Sequence, residues 1–182
     1  MGRRPRGALP DHVRPGLRVL FVGINPGTRS AATGHHYAGR SNRFWKLLHE
    51  SGLVPEPLTC ERDAEVLRWG YGLTNLVARP TPGVADLRRE DLETGARRLL
   101  VEIEKLQPEI VALVGVTVHR SLFSEGSRDG GARRSCSPLG LQAQTLHGSR
   151  VFVLPNPSGR NAHHSYATML GAFRDLARLL QR

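Results

Sequence analysis

The chain has 182 residues, of which 39% are hydrophobic, and it carries a formal net charge of +10. This length suits one sizeable core, so we expect a single domain, and no apolar run approaches the roughly eighteen residues that span a bilayer. The arginine-rich start lacks the apolar segment of a signal peptide, which predicts a cytoplasmic protein without a membrane partner. The basic charge suits a polyanionic partner. The alternative is a soluble protein with a basic surface and no such partner.

Arginines dominate the first sixteen residues, where Arg3, Arg4, Arg6 and Arg14 stand against a single acid, Asp11. A charge run of this kind favours a solvated tail over a folded element. We therefore predict a mobile basic arm at residues 1–16, free to contact phosphates, and a single domain at residues 17–182.

The spacing of cysteines and histidines argues against a metal site. Cys60 and Cys136 stand alone without CxxC spacing, which excludes a zinc ribbon, a disulfide framework and a four-thiolate iron–sulfur cluster. The pairs His35-His36 and His163-His164 have no carboxylate at ligand spacing, and neighbouring side chains diverge on a strand or helix. We predict no metal and interpret these histidines as solvated groups or as groups at the edge of a substrate site.

Strand and helix patterns alternate along the chain. Residues 17–22 form an apolar run typical of a buried strand, and apolar residues at helical spacing from 92 to 106 predict a long amphipathic helix that Pro108 ends. The other predicted elements are helices at 42–52, 116–123 and 166–180, strands at 72–77, 109–115, 141–146 and 151–154, and a mobile loop at 124–138. This alternation predicts an α/β fold, a three-layer α/β/α domain whose central sheet is mostly parallel.

The sequence Gly23-Ile24-Asn25-Pro26-Gly27 ends the first predicted strand with a polar loop. Pro26 and Gly27 stop the strand, so Asn25 lies at its carboxyl end, where open α/β sheets bind ligands. An amide at this place can orient a water or a polar ring edge with its carbonyl oxygen and its NH2 group. The alternative is an Asn-Pro turn that only reverses the chain.

Three further segments carry polar and aromatic residues in a defined order. They are Gly34-His35-His36-Tyr37-Ala38-Gly39, Ser41-Asn42-Arg43-Phe44-Trp45-Lys46 and Leu154-Pro155-Asn156-Pro157-Ser158-Gly159-Arg160. Between them lie Thr74-Asn75-Leu76-Val77, Thr81-Pro82-Gly83 and a helix-like segment at 95–107. In this order and spacing the motifs resemble the mismatch-specific uracil-DNA and thymine-DNA glycosylase family of the uracil-DNA glycosylase superfamily. The resemblance covers residues 17–180, nearly the whole chain.

This resemblance implies a pocket for a base that is flipped out of duplex DNA. Tyr37 would supply a stacking face, and backbone amides near Ile24 and Tyr37 would read the pyrimidine edges. Gly23, Ile24, Ser30 and Asn156 are implied as substrate-binding residues. Two alternatives stay open: Tyr37 packs as a loop aromatic on the surface, and Asn156 makes a purely structural turn.

The implied reaction is hydrolysis of the N-glycosidic bond, with Asn25 positioning the attacking water. An amide cannot accept the proton of that water, so Asn25 predicts a slow enzyme that prefers good leaving groups such as uracil. Asp86, in the loop after the second predicted strand, is a second catalytic candidate, or else it caps a helical turn. The motif loops at 23–27, 34–39 and 154–160 contain no Lys, which argues against a Schiff-base lyase step and favours a monofunctional enzyme without a cofactor.

The resemblance also implies contacts with duplex DNA. Arg160 matches the arginine that the thymine-DNA glycosylase branch inserts as a wedge, Ser158 and Gly159 would let the backbone approach the duplex, and Arg43 would contact phosphate. The His35-His36-Tyr37 form also looks like that branch, whereas the other motifs have the bacterial form, so the preferred base stays open. We predict a nucleoid-associated monomer that acts on double-stranded DNA containing mispaired uracil. The alternatives are a non-catalytic module for flipped bases and a hydrolase of free nucleosides or nucleotides.

Overall fold

The structure is a computed structural model that describes residues 9–123, 139–159, 161 and 163–181. Its strands are β1 (Val19–Gly23), β2 (Tyr71–Asn75), β3 (Ile110–Val114), β4 (Gly140–Leu146) and β5 (Ser149–Leu154). Its α-helices are α1 (Thr28–Thr33), α2 (Phe44–Glu50), α3 (Arg89–Leu106), α4 (Val116–Phe123) and α5 (Tyr166–Leu179), and two 3-10 segments cover Cys60–Trp69 and Val84–Asp86. The loop predicted at 124–138 lies outside the described residues. Within the described ranges, no helix is both long and apolar enough to span a bilayer.

The strands form one sheet in the order β2-β1-β3-β5-β4. Strand β1 pairs in parallel with β2 and β3, and β3 pairs in parallel with β5, whereas β4 runs antiparallel at the edge. The predicted mostly parallel sheet is therefore confirmed. Every residue of β1 is buried, because strands inside a parallel sheet are covered on both faces and read as continuous apolar runs.

Side chains of the strands alternate between two cores, since successive residues of a strand point to opposite faces of the sheet. Phe21 packs in one core with Phe44 of α2 and Phe173 of α5. Leu20 packs in the other core with Leu99 of α3. Helices therefore cover both faces, as the predicted three-layer arrangement requires, and the strand ends hold the loops that carry the motifs.

Helix α1 and the 3-10 segment Cys60–Trp69 were not predicted from the sequence. Helix α1 buries only Ser30, and the 3-10 segment buries only Asp63 and Val66. Neither element shows the apolar periodicity by which helices are recognised in a sequence. Both bury a polar side chain instead, and both lie beside the predicted pocket.

Residues 9–16, which the charge pattern assigned to the mobile arm, belong to the folded domain. Leu9 is 5% exposed, and His12 forms an antiparallel bridge with Leu73, with hydrogen bonds of 3.0 and 2.9 Å between their backbones. Strand β2 is at the edge of the sheet, where its outer N–H and C=O groups need partners. The prediction is therefore wrong for this part of the arm, and Arg3, Arg4 and Arg6 lie outside the described residues.

Candidate active site

The loops that follow β1, β2 and β5 meet at one edge of the sheet. These strands are parallel, so their carboxyl ends point the same way. Thr81 N–H donates to the carbonyl oxygen of Pro26 at 3.2 Å, and Arg43 N–H donates to the carbonyl oxygen of Pro157 at 3.0 Å. The predicted convergence of the motif loops is confirmed.

Asn25 is held at this edge by its amide nitrogen. Its Nδ2 donates to Thr81 Oγ1 at 2.8 Å and to the carbonyl oxygens of Arg79 and Pro26, each at 3.2 Å. Because the two carbonyl groups can only accept, the NH2 group must face them and Oδ1 must face away. Among the described residues Oδ1 has no hydrogen-bond partner, which leaves it free to accept a hydrogen bond from a water.

Gly23, Asn75 and Tyr37 come together at the carboxyl end of β1. A Cβ atom at Gly23 would lie 2.6 Å from Asn75 Oδ1 and 3.3 Å from the Tyr37 hydroxyl oxygen. Only glycine leaves room for both groups, which explains Gly23 at this position. Ile24 continues the loop, and its carbonyl oxygen accepts from Val77 N–H at 2.8 Å, so its backbone is used in joining the first two loops.

Asn75 is the site residue that sequence reasoning missed. It is 7% exposed, and its Oδ1 lies 2.6 Å from the place that a Cβ atom at Gly23 would take. A side-chain amide at this place offers an acceptor and two donors to a bound base. The sequence alone does not mark it, because its place follows from strand pairing: Asn75 ends β2 directly opposite Gly23 of β1.

Tyr37 is packed more deeply than a surface loop aromatic. Its ring stacks on Phe44 with centroids 3.9 Å apart and an angle of 14° between the planes. Its hydroxyl is buried without a partner among the described residues, and burial raises the pKa of Tyr37. One face of the ring is thus occupied by Phe44, which leaves only the other face for a base.

The backbone of Tyr37 has a φ of +53°, a conformation that costs a residue with a side chain about 1–2 kcal/mol. Its neighbours are held in place on both sides. Ala38 N–H donates to Ser30 Oγ at 3.1 Å, and the carbonyl oxygen of Ala38 accepts from Arg29 Nε at 2.8 Å. Ser30 was predicted to bind substrate, but its hydroxyl supports residues 35–39, which we name the Tyr37 loop.

His36 and Asp63 hold the other end of the Tyr37 loop. His36 is 1% exposed, its N–H donates to Asp63 Oδ2 at 2.8 Å, and its Nε2 lies 2.9 Å from the carbonyl oxygen of Pro10. The interpretation of this residue as solvated or at a substrate edge is therefore wrong. No group of three or more His, Cys, Asp or Glu side chains able to hold a metal ion occurs within the described residues.

The pKa shifts of His36 and Asp63 predict that the stability of the fold decreases in two steps as the pH falls. Burial lowers the pKa of His36 below 6.5. Protonation of this side chain therefore favours the unfolded chain, and the free energy of unfolding decreases as the pH falls below 6.5. Burial alone would raise the pKa of Asp63, but hydrogen bonds from His12 and from His36 N–H lower it from 3.8 to about 2. That contribution, about 2 kcal/mol, is complete above pH 3.8 and is lost toward pH 2.

Urea unfolding between pH 7 and pH 2 measures both steps. We expect Asp63→Asn to flatten the stability curve below pH 4 and to leave the step below pH 6.5 in place. A curve of unchanged shape in this variant would contradict the assignment of the acid step to Asp63.

Asp86 lies at the surface and closes the short 3-10 turn Val84–Asp86. Its Oδ2 accepts from Gly83 N–H at 2.9 Å, and its carbonyl oxygen accepts from Arg79 at 3.1 Å. These contacts fit the alternative in which Asp86 stabilises a helical turn, although from the end of the turn and not as its N-cap. Catalysis by Asp86 stays a prediction.

Asp86→Ala should lower the free energy of unfolding by about 1 kcal/mol, because it removes a capping acceptor, and should leave single-turnover cleavage of a uracil duplex unchanged. Urea unfolding and a cleavage time course measure the two effects. Loss of cleavage at full stability would instead support the catalytic role.

The loop after β5 uses its motif residues in internal contacts. Asn156 Oδ1 accepts from Ser158 N–H at 3.0 Å, and the carbonyl oxygen of Asn156 accepts from Asn161 Nδ2 at 2.8 Å. The turn alternative for Asn156 therefore has direct support. A Cβ atom at Gly159 would collide with Ser41, so its missing side chain admits Ser41, and no contact with DNA is needed to explain it.

Two arginines complete the set of predicted DNA contacts. Arg43 is half-buried, and its Nη1 lies 3.9 Å from Met169 Sδ, so its guanidinium lies beside α5, and its contact with phosphate stays a prediction. Arg160, the predicted wedge, lies outside the described residues.

A cavity of about 470 Å³ adjoins the Tyr37 loop. It shares Tyr37 and Ala38 with the site but does not include Gly23, Asn25 or Asn75. Four basic side chains line it, those of Arg29, Arg40, Lys46 and His49. The cavity therefore forms a basic surface beside the site and does not cover Asn25.

Comparisons with known proteins show the family of the chain and a similar fold. Residues 10–177 match the profile of the Uracil DNA glycosylase superfamily. The fold is similar to the solution NMR structure of a "putative Uracil DNA glycosylase" from Methanosarcina acetivorans, with a TM-score of 0.66 and 16% identity over 97% of this chain and 99% of that one. The match over most of its length shows that the chain belongs to the uracil DNA glycosylase superfamily.

Proposed function

We propose that this protein is a monofunctional DNA glycosylase that flips mispaired uracil out of duplex DNA and hydrolyses its N-glycosidic bond, leaving an abasic site. Membership of the superfamily supports a DNA N-glycosylase. The orientation of Asn25 is the observation that carries the chemistry, since three bonds fix its NH2 group and leave Oδ1 as an acceptor. We expect a monomer acting on nucleoid DNA in the cytoplasm.

Cleavage of the glycosidic bond leaves a pyrimidine anion and an oxocarbenium-like sugar. The protein can promote it by placing a water on the far face of the sugar and hydrogen-bond donors on the leaving base. Asn25 Oδ1 can orient that water, and the amide of Asn75 can donate to a carbonyl and accept from an imide N–H of the same base. An amide cannot take a proton as a carboxylate can, which favours a slow enzyme acting on good leaving groups.

A preference for mispaired uracil has an energetic basis. A base must leave the stack before it can enter a pocket beside Tyr37, and extrusion costs least for a mispaired base. Uracil leaves as a delocalised pyrimidine anion that hydrogen-bond donors can stabilise, in keeping with the weak activation of water that an amide provides.

The direct test incubates the protein with four DNAs that contain G·U, A·U, G·T or single-stranded U, followed by alkali to reveal abasic sites. We expect the fastest cleavage on G·U, and cleavage about 100- to 1,000-fold slower with Asn25→Ala. Tight mismatch binding without cleavage would favour the non-catalytic module, and hydrolysis of free deoxyuridine would favour the nucleoside hydrolase.

Affinity for duplex DNA should fall steeply with salt, since each phosphate that a basic side chain neutralises adds about 0.9 to the slope of log affinity against log salt. Arg40→Ala, at the basic cavity, should reduce the slope by about that amount on every duplex. Arg89→Ala is the matched control, because Arg89 lies on α3 and pairs with Glu93. A slope near zero for the wild type would contradict a role of the net charge in DNA binding.

A further inference from the structure

The Tyr37 loop has a strained backbone that its surroundings must hold. Tyr37 has a positive φ although it carries a side chain, and such conformations persist only where neighbouring contacts impose them. On the C-terminal side, Ser30 and Arg29 bind the peptide groups of Ala38. On the N-terminal side, His36 is bound through its N–H, its ring and its carbonyl oxygen, the last of which accepts from Trp45 Nε1 at 3.2 Å.

Asp63 is the charged group in this set of contacts. It lies in the 3-10 segment Cys60–Trp69 and is 3% exposed. Its Oδ2 accepts from His36 N–H at 2.8 Å, and its Oδ1 lies 3.1 Å from His12 Nε2 and 3.4 Å from His35 Nδ1. One carboxylate thus joins the segment before β1, the Tyr37 loop and the 3-10 segment.

Burying a carboxylate costs desolvation free energy unless several hydrogen-bond donors compensate. The position of Asp63 between three segments therefore calls for an explanation. The shortest contact of Asp63 is with the N–H of His36, which belongs to the peptide between His35 and His36, one residue before Tyr37. A change of direction in that peptide would swing the Tyr37 ring, whose hydroxyl lies beside Gly23 and Asn75.

We propose that Asp63 is a positioning residue of the base pocket: it fixes the peptide between His35 and His36, and through His36 it keeps the Tyr37 ring aligned with Gly23 and Asn75. This inference rests on the proposed function for its catalytic consequence. Asp63 touches no base in this arrangement and acts only through Tyr37.

The test compares Asp63→Ala, Asp63→Asn and the control Glu65→Ala. Glu65 is a carboxylate of the same 3-10 segment, but it pairs with Arg62 at 2.7 Å and Arg68 at 3.2 Å. Single-turnover cleavage of a G·U duplex at saturating protein should fall at least about tenfold in Asp63→Ala, since small displacements of an aligned group reduce rates strongly. Affinity for a duplex with an abasic analogue should change by less than about threefold, because phosphate contacts dominate it.

Asp63→Asn should recover most of the cleavage rate, since its amide oxygen can still accept from His36 N–H. Glu65→Ala should cleave as the wild type does. Normal single-turnover cleavage by folded Asp63→Ala with a lowered melting temperature would overturn the proposal, because it would leave Asp63 with a structural role alone. If Asp63→Ala does not fold, Asp63→Ser withdraws the same acceptor and is measured in its place.

A second readout separates this inference from the proposed function. If the wild type cleaves none of the four DNAs, the proposed function fails, and amide hydrogen exchange at Tyr37 and Ala38 decides the inference. Exchange that is at least about tenfold faster in Asp63→Ala at these amides, but not at Ala112 in β3, would support control of the Tyr37 loop by Asp63. Unchanged exchange there would overturn it.

Discussion

Asn25→Ala should reduce single-turnover cleavage of a G·U duplex by about 100- to 1,000-fold, the range observed when one preorganised polar group is removed from an active site. The reason lies in the geometry of the amide: Thr81, Arg79 and Pro26 fix the NH2 group, and Oδ1 is left to orient the water. Binding to the duplex should change little, because Asn25 contributes no charge.

Asn25→Asp separates two accounts of this residue. A carboxylate accepts protons better than an amide, so a simple base-strength argument predicts a faster enzyme. The structure predicts the opposite, because a second oxygen would then face the carbonyl groups of Arg79 and Pro26, which are acceptors too. We expect Asn25→Asp to be slower than the wild type at pH 7 and less stable.

Thr81 offers a graded test of the same geometry. It is 3% exposed, it accepts from Asn25 Nδ2, and its hydroxyl donates to the carbonyl oxygen of Gly83 at 2.6 Å. Thr81→Val keeps the shape and removes both bonds, so we expect an intermediate loss of cleavage, whereas Thr81→Ser should cleave nearly as the wild type does. Full activity in Asn25→Ala would contradict the water-orienting role of Asn25 and would favour Asp86 as the catalytic group.

The position of Asn25 could be predicted from the sequence because strong local signals determine it. An apolar run followed by Pro26 and Gly27 indicates a buried strand with a sharp end, and strand–helix alternation indicates parallel strands whose ends meet. The pairing of β1 with β2 and β3 confirms that expectation. These signals are local in the chain, which is why sequence reasoning found them.

The support of the pocket could not be predicted in the same way. Asp63 acts on a peptide 27 residues away, and no periodicity marks a carboxylate that binds a backbone N–H. Asn75 looks like any strand residue until β2 is paired with β1. Gly159 was interpreted through DNA, but the nearest group in the fold is Ser41. In each case the contact that determines the role of the residue joins segments that are distant in sequence. Several of these contacts involve backbone atoms, whose positions cannot be inferred from the pattern of side chains.

Tyr37→Ala should lower both stability and activity. The ring stacks on Phe44 and belongs to the edge of a core, so its removal should cost about 2–4 kcal/mol in the free energy of unfolding. A base that stacks on its other face would lose about 1–3 kcal/mol of interaction, which predicts a loss of cleavage of about tenfold to a hundredfold. Urea unfolding and single-turnover rates, measured where the variant is folded, separate the two effects.

Tyr37→Phe distinguishes the ring from the hydroxyl. It keeps the stacking surface and removes a buried hydroxyl that has no partner among the described residues, so stability should stay equal or rise by up to about 1 kcal/mol. The hydroxyl lies beside Gly23 and Asn75, where the base is proposed to bind. If the base supplies its missing partner, cleavage should fall about three- to tenfold, the value of one hydrogen bond. If Tyr37→Phe is at least as stable as the wild type but cleaves more slowly, the Tyr37 hydroxyl is kept unpaired in order to bind the substrate. If Tyr37→Phe cleaves at the wild-type rate, the role of Tyr37 is limited to stacking.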